Sequence, residues 1–225
     1  MSARARRALR DNGIGIAFGL LFLAALALQA AAGFADFTEQ RLADHLLPVS
    51  FGRYLTSSAF AVDVAENWQS EYLQFFLYVF ATTWLVQRGS PESKPPGSPH
   101  RTSNEQERVA EHAEADSPVS ARAGHPRRVV FSVSLGATMG LLFLGSWAAQ
   151  FIAGRSAYNA QQLAQLQDPL SWSDYLMSPD FWNRTAQNWQ SEFLAIGSMA
   201  VFAVFLRQRG SPESKAVGAP HDSQG

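Results

Sequence analysis

The chain has no cysteine among its 225 residues. That excludes a disulfide framework, thiolate chemistry and cysteine-ligated metal. Histidine is scarce, with five copies at His45, His100, His112, His125 and His221. Four lie in the linker or tail, and no two share ligand spacing on a helix, so no metal site is expected. Charged residues make up only 16% and nearly balance, giving a formal net charge of −1. Net charge near zero argues against a nucleic-acid partner, which would need a clustered basic face. Nothing resembles a Ser/His/Asp set or a phosphate loop, so the chain reads as no enzyme and as needing no cofactor.

What is present is apolar sequence in long runs. Charges gather in a tail, a linker and two loops. The first run extends from Ile14 to about Ala32, broken only by Gln29, behind a tail carrying Arg4, Arg6, Arg7 and Arg10. This order also fits a signal peptide. However, a run of about 19 residues matches a bilayer core of about 30 Å. A second run, Val129–Ile152, stands inside the chain, where no signal peptide can.

Between the runs, Asp36-Phe37-Thr38-Glu39 carries a capping pattern. Phe37, Leu42 and Leu46 follow at near-helical spacing up to Pro48, which predicts a short helix on the membrane surface. Ser57 or Ser58 caps a longer helix expected to run through Asn67 to Gln87. Gly89 suits the residue beyond its end, and Pro91 prevents continuation. Residues 95–126 are rich in proline, serine, glycine and charge and bury too little to offset ordering, so they read as a disordered linker with a brief helix near Asn104–Ala115. After Val129–Ile152 a polar loop with Tyr158, Leu163 and Leu166 is expected. Ser178-Pro179 then opens a last helix that passes Asn188 and ends near Gln208.

The chain repeats itself. Asn67-Trp68-Gln69-Ser70-Glu71 returns as Asn188-Trp189-Gln190-Ser191-Glu192, and the octet Gln87–Lys94 returns as Gln208–Lys215. At a constant offset of about 121 positions, about 35 of roughly 80 paired residues are identical. The expected architecture is an all-α polytopic membrane protein: four transmembrane helices as two parallel two-helix repeats. Residues 1–12 form a basic tail, 13–94 repeat 1, 95–126 the linker, 127–215 repeat 2 and 216–225 a disordered tail. The halves insert the same way round, related by an axis along the membrane normal. About fourteen of the 18 Lys and Arg residues lie in the tails and linker, which places both termini in the cytoplasm of a multi-pass inner-membrane protein. Gly15-x-x-x-Gly19 and Gly136-x-x-x-Gly140 permit close helix crossing.

The repeated motifs supply the candidate site. With Gln87 at the inner boundary, a rise of 1.5 Å per residue puts Glu71 about 24 Å above it, near the outer edge of the slab. Gln29, Asn67, Gln69, Glu71, Gln150, Asn188, Gln190 and Glu192 then form a polar layer mirrored about the axis. Trp68, Arg88, Trp189 and Arg209 read as interface anchors. One account of the layer is structural, with hydrogen bonds satisfying the acids. The other has Glu71 and Glu192 facing each other to bind a proton or cation. A stripe of Glu71, Gln74, Tyr78 and Thr82 occurs only in the first copy, as does Glu66, replaced by Gln187. The bilayer is the expected partner, with a homo-oligomer or another membrane protein beside it.

The paired motifs resemble those of a family of bacterial integral membrane proteins described only as a domain of unknown function. The resemblance covers about residues 12–94 and 129–215 and leaves out the linker. It implies a membrane protein and carries no activity. The functional expectation is a structural or interaction role in the inner membrane, with a small proton or cation transporter or channel as the alternative.

Overall fold

A computed structural model describes residues 11–98 and 102–223. The basic tail with Arg4, Arg6, Arg7 and Arg10, and also His100, lies outside the described residues. Among those described, the secondary structure is helical, with no strand. The long helices are α1 (Gly13–Ala43), α3 (Ser58–Trp84), α6 (Ser134–Ala164) and α8 (Pro179–Phe205). The short ones are α2 (Phe51–Leu55), α4 (Val119–Arg122), α5 (His125–Ser132) and α7 (Trp172–Leu176). The set α1, α2, α3 begins and ends about 121 positions before α6, α7, α8, the offset of the sequence repeat.

The first helix of each copy is longer than the sequence reading has it. α1 and α6 are each 31 residues. α1 absorbs the expected surface helix at Asp36, and α6 absorbs Tyr158 and Leu163. No proline or glycine pair interrupts either apolar run, so propagation wins over the capping signal. Asp36 accepts from Gln40 Nε2 at 2.7 Å, within the helix, rather than capping. Both helices then stop in the same way. His45 and Leu166 take φ of 57° and 58°. Leu46 N–H donates to Arg41 O at 2.8 Å and Gln167 N–H to Gln162 O at 2.8 Å. This is a Schellman ending built on a histidine and a leucine instead of the usual glycine.

α3 and α8 start as expected, on Ser57 and Ser178, whose hydroxyls accept from Phe60 N–H and Phe181 N–H, both at 3.3 Å. They end earlier than expected, at Trp84 and Phe205. Gly89 and Gly210 therefore cap no helix. Each is the third residue of a β-turn with φ of 80° and 83°, closed by Ser90 N–H to Gln87 O at 3.1 Å and Ser211 N–H to Gln208 O at 3.2 Å. In place of a helix near Asn104–Ala115 there are turns and a single 3-10 turn, Ala110–His112. α5 precedes α6, with a break at Val133.

Among the described residues, only α1 and α6 are long and apolar enough to cross a membrane by length and composition. The four crossings read from the sequence are thus two on this criterion. The reason is polarity: the first halves of α3 and α8 carry Asp63, Glu66, Asn67, Gln69 and Glu71, or Asn183, Arg184, Asn188, Gln190 and Glu192.

The chain divides into two compact units, Met1–Asp63 with Ala153–Pro169, and Val64–Ile152 with Leu170–Gly225. In the first, Tyr54 is buried among Phe34, Phe37 and Phe60. A Cβ at Gly33 would collide with its hydroxyl, which explains the glycine there. In the second, Phe143, Trp147, Phe151, Tyr175, Phe181 and Trp189 pack into one aromatic core through tilted and edge-to-face contacts, with centroids 5.4–6.2 Å apart. The two small-residue stripes are not alike. A Cβ at Gly140 would lie 3.2 Å from the Phe76 ring, whereas one at Gly15 or Gly19 would meet nothing within 4 Å.

Candidate functional site

The second unit collects most of the polar layer, from α3, α6 and α8. Gln69 is fully buried and accepts a hydrogen bond from Trp189 Nε1 at 2.8 Å. Trp147 Nε1 donates to the buried hydroxyl of Thr185 at 3.3 Å. Gln150 is fully buried, and neither of its amide atoms has a hydrogen-bond partner; nor has Gln69 Nε2. Glu192 is 8% exposed. Glu71 is exposed yet within electrostatic reach of Glu192. Because α3 ends at Trp84, Glu71 stands about 20 Å from its helix end rather than about 24 Å.

The mirrored layer of the sequence reading is therefore lopsided. Of its repeat-related pairs, Gln69 and Glu192 are buried while Gln190 and Glu71 are exposed. Asn67 is exposed and Asn188 half-buried, as is Gln29, which belongs to the first unit. The neighbours differ too: the second copy has Trp147, Phe151 and Trp182 where the first has Leu26, Ala30 and Ala61, and Trp147 packs 5.6 Å from Trp189, the donor to Gln69. Trp189 is drawn into this core and is no free interface anchor, while Trp68, Arg88 and Arg209 are exposed.

A charged chain borders the layer. Tyr175 donates to Asp180 Oδ2 at 3.0 Å. Arg184 Nε donates to Asp180 Oδ1 at 3.3 Å, and its Nη1 to Glu66 Oε2 at 3.0 Å. Burial first, then the Asp180 carboxylate, holds the Tyr175 hydroxyl well above its ordinary range. Glu66, whose replacement by Gln187 in the second copy argues against a role, thus has one. Two departures from the repeat, Glu66 for Gln187 and Arg184 for Asp63, complete each other across the copies. The sequence signal was there: two charge changes three residues apart, on one helix face.

The motif octets fold alike and mostly serve themselves. Ser93 Oγ accepts from Gln87 N–H at 3.0 Å and donates to Gln87 O at 2.9 Å. Ser214 Oγ accepts from Gln208 N–H at 2.9 Å. Ser90 and Ser211 hydroxyls accept from Glu92 and Glu213 N–H at 3.3 and 3.2 Å. The first-copy stripe ends here, since Tyr78 donates to Glu92 and Thr82 donates to Tyr78 O at 2.7 Å. Burial, then Glu213 and a proton shared with it, raises the Glu92 carboxyl above its ordinary value of 4.5. Lys215 is buried, with Nζ donating to Gly89 O at 2.6 Å, His221 O at 2.9 Å, Ser223 O at 3.1 Å and Pro220 O at 3.2 Å. These bonds tie Lys215 to Pro220, His221 and Ser223 of the tail. Arg207 adds to them, donating to Val204 O at 3.0 Å and Ala219 O at 3.0 Å, where it complements the carbonyl end of α8.

Among the described residues no group of three or more His, Cys, Asp or Glu is placed to hold a metal ion. Chemically the site offers fixed hydrogen bonds, two acid pairs related by the repeat, and buried amides. No curated protein and no solved structure matches the chain. One family does match, and it spans the linker that the motif resemblance leaves out. Over residues 5–225, this chain belongs to the domain of unknown function DUF6766.

Proposed function

We propose that the chain is an integral membrane protein that crosses the bacterial inner membrane four times and serves a structural or interaction role. One observation carries the reading. α1 and α6 are apolar over their most hydrophobic stretches, yet only 6% of each stretch is buried within the protein. In water such surface would aggregate; in lipid it is already solvated. α6 stands mid-chain and is too exposed for a soluble core helix, so neither a signal sequence nor a core accounts for it. α3 and α8 cross as well because their polar halves find partners inside the protein, through Gln69–Trp189 and Glu66–Arg184. The positive-inside balance puts both termini in the cytoplasm. The scaffold role is favoured because most motif side chains are spent on fixed internal bonds. Washing isolated membranes with alkaline carbonate tests the placement: the protein stays in the pellet and needs detergent for release. Crosslinking in whole cells then tests the role, with discrete adducts expected to itself or to another membrane protein.

The second reading is conduction of protons or cations through Glu71 and Glu192. It is favoured by the burial of Glu192 within reach of its repeat partner. Proteoliposomes carrying the double variant Glu71→Gln, Glu192→Gln decide it. A proton or potassium flux that is present in the native protein and lost in the variant supports conduction; no difference removes it.

A further inference from the structure

α7 has three faces. Tyr175 points into the aromatic core and is fully buried. Ser171, Ser173 and Asp174 are polar and exposed, with Ser171 Oγ accepting from Asp174 N–H at 3.2 Å. The remaining face is apolar and open: Trp172 is 49% exposed, Leu176 42% and Met177 77%, and Trp182 on the first turns of α8 adds 43%. The Trp182 indole N–H is already satisfied by Leu176 O at 2.8 Å, so the ring can lie against hydrocarbon without an unmet donor.

Depth says what covers this face. From Phe205, followed by Arg207 and Arg209, back to Trp182 there are 23 helical steps, or about 34 Å. The hydrocarbon slab is about 30 Å thick. With the arginine-flanked end of α8 at the inner boundary, Trp182 and the adjoining α7 fall just past the outer boundary, where amphipathic rings prefer to sit. We infer that α7 lies in the outer headgroup region, with Trp172, Leu176, Met177 and Trp182 dipping into lipid and Asp174 facing water. This rests on α8 crossing the bilayer. It also moves the outer anchoring role from Trp189, which packs inside, to tryptophans that the repeated motif does not contain.

The absence of cysteine makes the test direct. Single nitroxide labels at Met177→Cys, Asp174→Cys and, within α6, Leu144→Cys are read in liposomes of phosphatidylethanolamine and phosphatidylglycerol. Collisions with oxygen, which favours lipid, are compared with those of a water-soluble nickel chelate. The expected oxygen-to-nickel ratio is highest at Leu144, several-fold lower at Met177, and several-fold lower again at Asp174. If Met177 matches Asp174 while Leu144 stays lipid-like, the anchor is wrong and the membrane reading stands. If Met177 meets neither reagent, protein covers it, and the lipid assignment falls. If Leu144 also meets nickel freely, the membrane reading falls with it.

Discussion

Glu66 and Arg184 are the residues whose pairing ties one copy to the other most specifically. Each partner is only part-buried, at 21% and 38% side-chain exposure. A double-mutant cycle with Glu66→Gln and Arg184→Gln is therefore expected to give a coupling of about 0.5–1 kcal/mol in detergent. The exchange Glu66→Arg with Arg184→Glu recovers part of the single-variant loss. Independent losses and no recovery contradict the pairing. The Glu92 carboxyl gives a pH dependence of definite sign. The folded chain holds this proton more tightly than the unfolded one. The resulting stabilisation is complete below the unfolded value of 4.5 and is lost as pH rises through the higher folded value. Glu92→Gln imitates the protonated acid, keeping an acceptor for Tyr78 and gaining a donor for Glu213. Its Tm is expected to match the native protein at acid pH and exceed it by about 1–3 °C at pH 7. An equal gap at both pH values contradicts the shared proton. These pairs were half legible. Glu92 and Glu213 stand out as repeat-related in the sequence and Glu66 as a departure from the repeat, but that Arg184 answers Glu66 requires knowing which helix faces meet.

At the scale of elements, helix starts were easier to read than helix ends. Ser57 and Ser178 cap by a local hydrogen bond whose donor lies three residues on, so sequence places the second at Ser178 and the first to within one residue, at Ser57 or Ser58. Ends depend on competition. At Asp36 a capping pattern met an uninterrupted helix-forming run and lost. At Gly89 the glycine signal was right about φ and wrong about the element, because α3 had already stopped at Trp84. The Schellman endings at His45 and Leu166 carry no glycine to announce them. Leu166 is 96% exposed at φ of 58°, so its side chain contributes little packing and its backbone is unfavourable for a branched residue. Leu166→Gly is expected to stabilise the protein by about 0.5–1 kcal/mol in thermal or denaturant unfolding. Gly210→Ala, at φ of 83°, is expected to cost about 1 kcal/mol or more. A Leu166→Gly variant less stable than the native chain would mean that this side chain is held by something outside the protein.

For the whole molecule, the repeat was plain in the sequence, and helix boundaries follow it closely. The site was less so. A symmetric duplication predicts a symmetric polar layer, yet Gln69 and Glu192 are buried while Gln190 and Glu71 are not. The copies also differ by three aromatics in place of aliphatics, Trp147, Phe151 and Trp182; Trp147 is about 40 residues from the motif in sequence and packs 5.6 Å from its Trp189 in the fold. The account turns on the two copies crossing lipid with the same orientation. Single cysteines at Leu47 and Asp168, between the paired helices of each copy, and at Glu107 in the linker are probed with a membrane-impermeant maleimide on intact bacterial spheroplasts. Labelling at Leu47 and Asp168 from outside, with Glu107 reacting only after lysis, is the predicted result; outside labelling of Glu107, or opposite sidedness of Leu47 and Asp168, contradicts it.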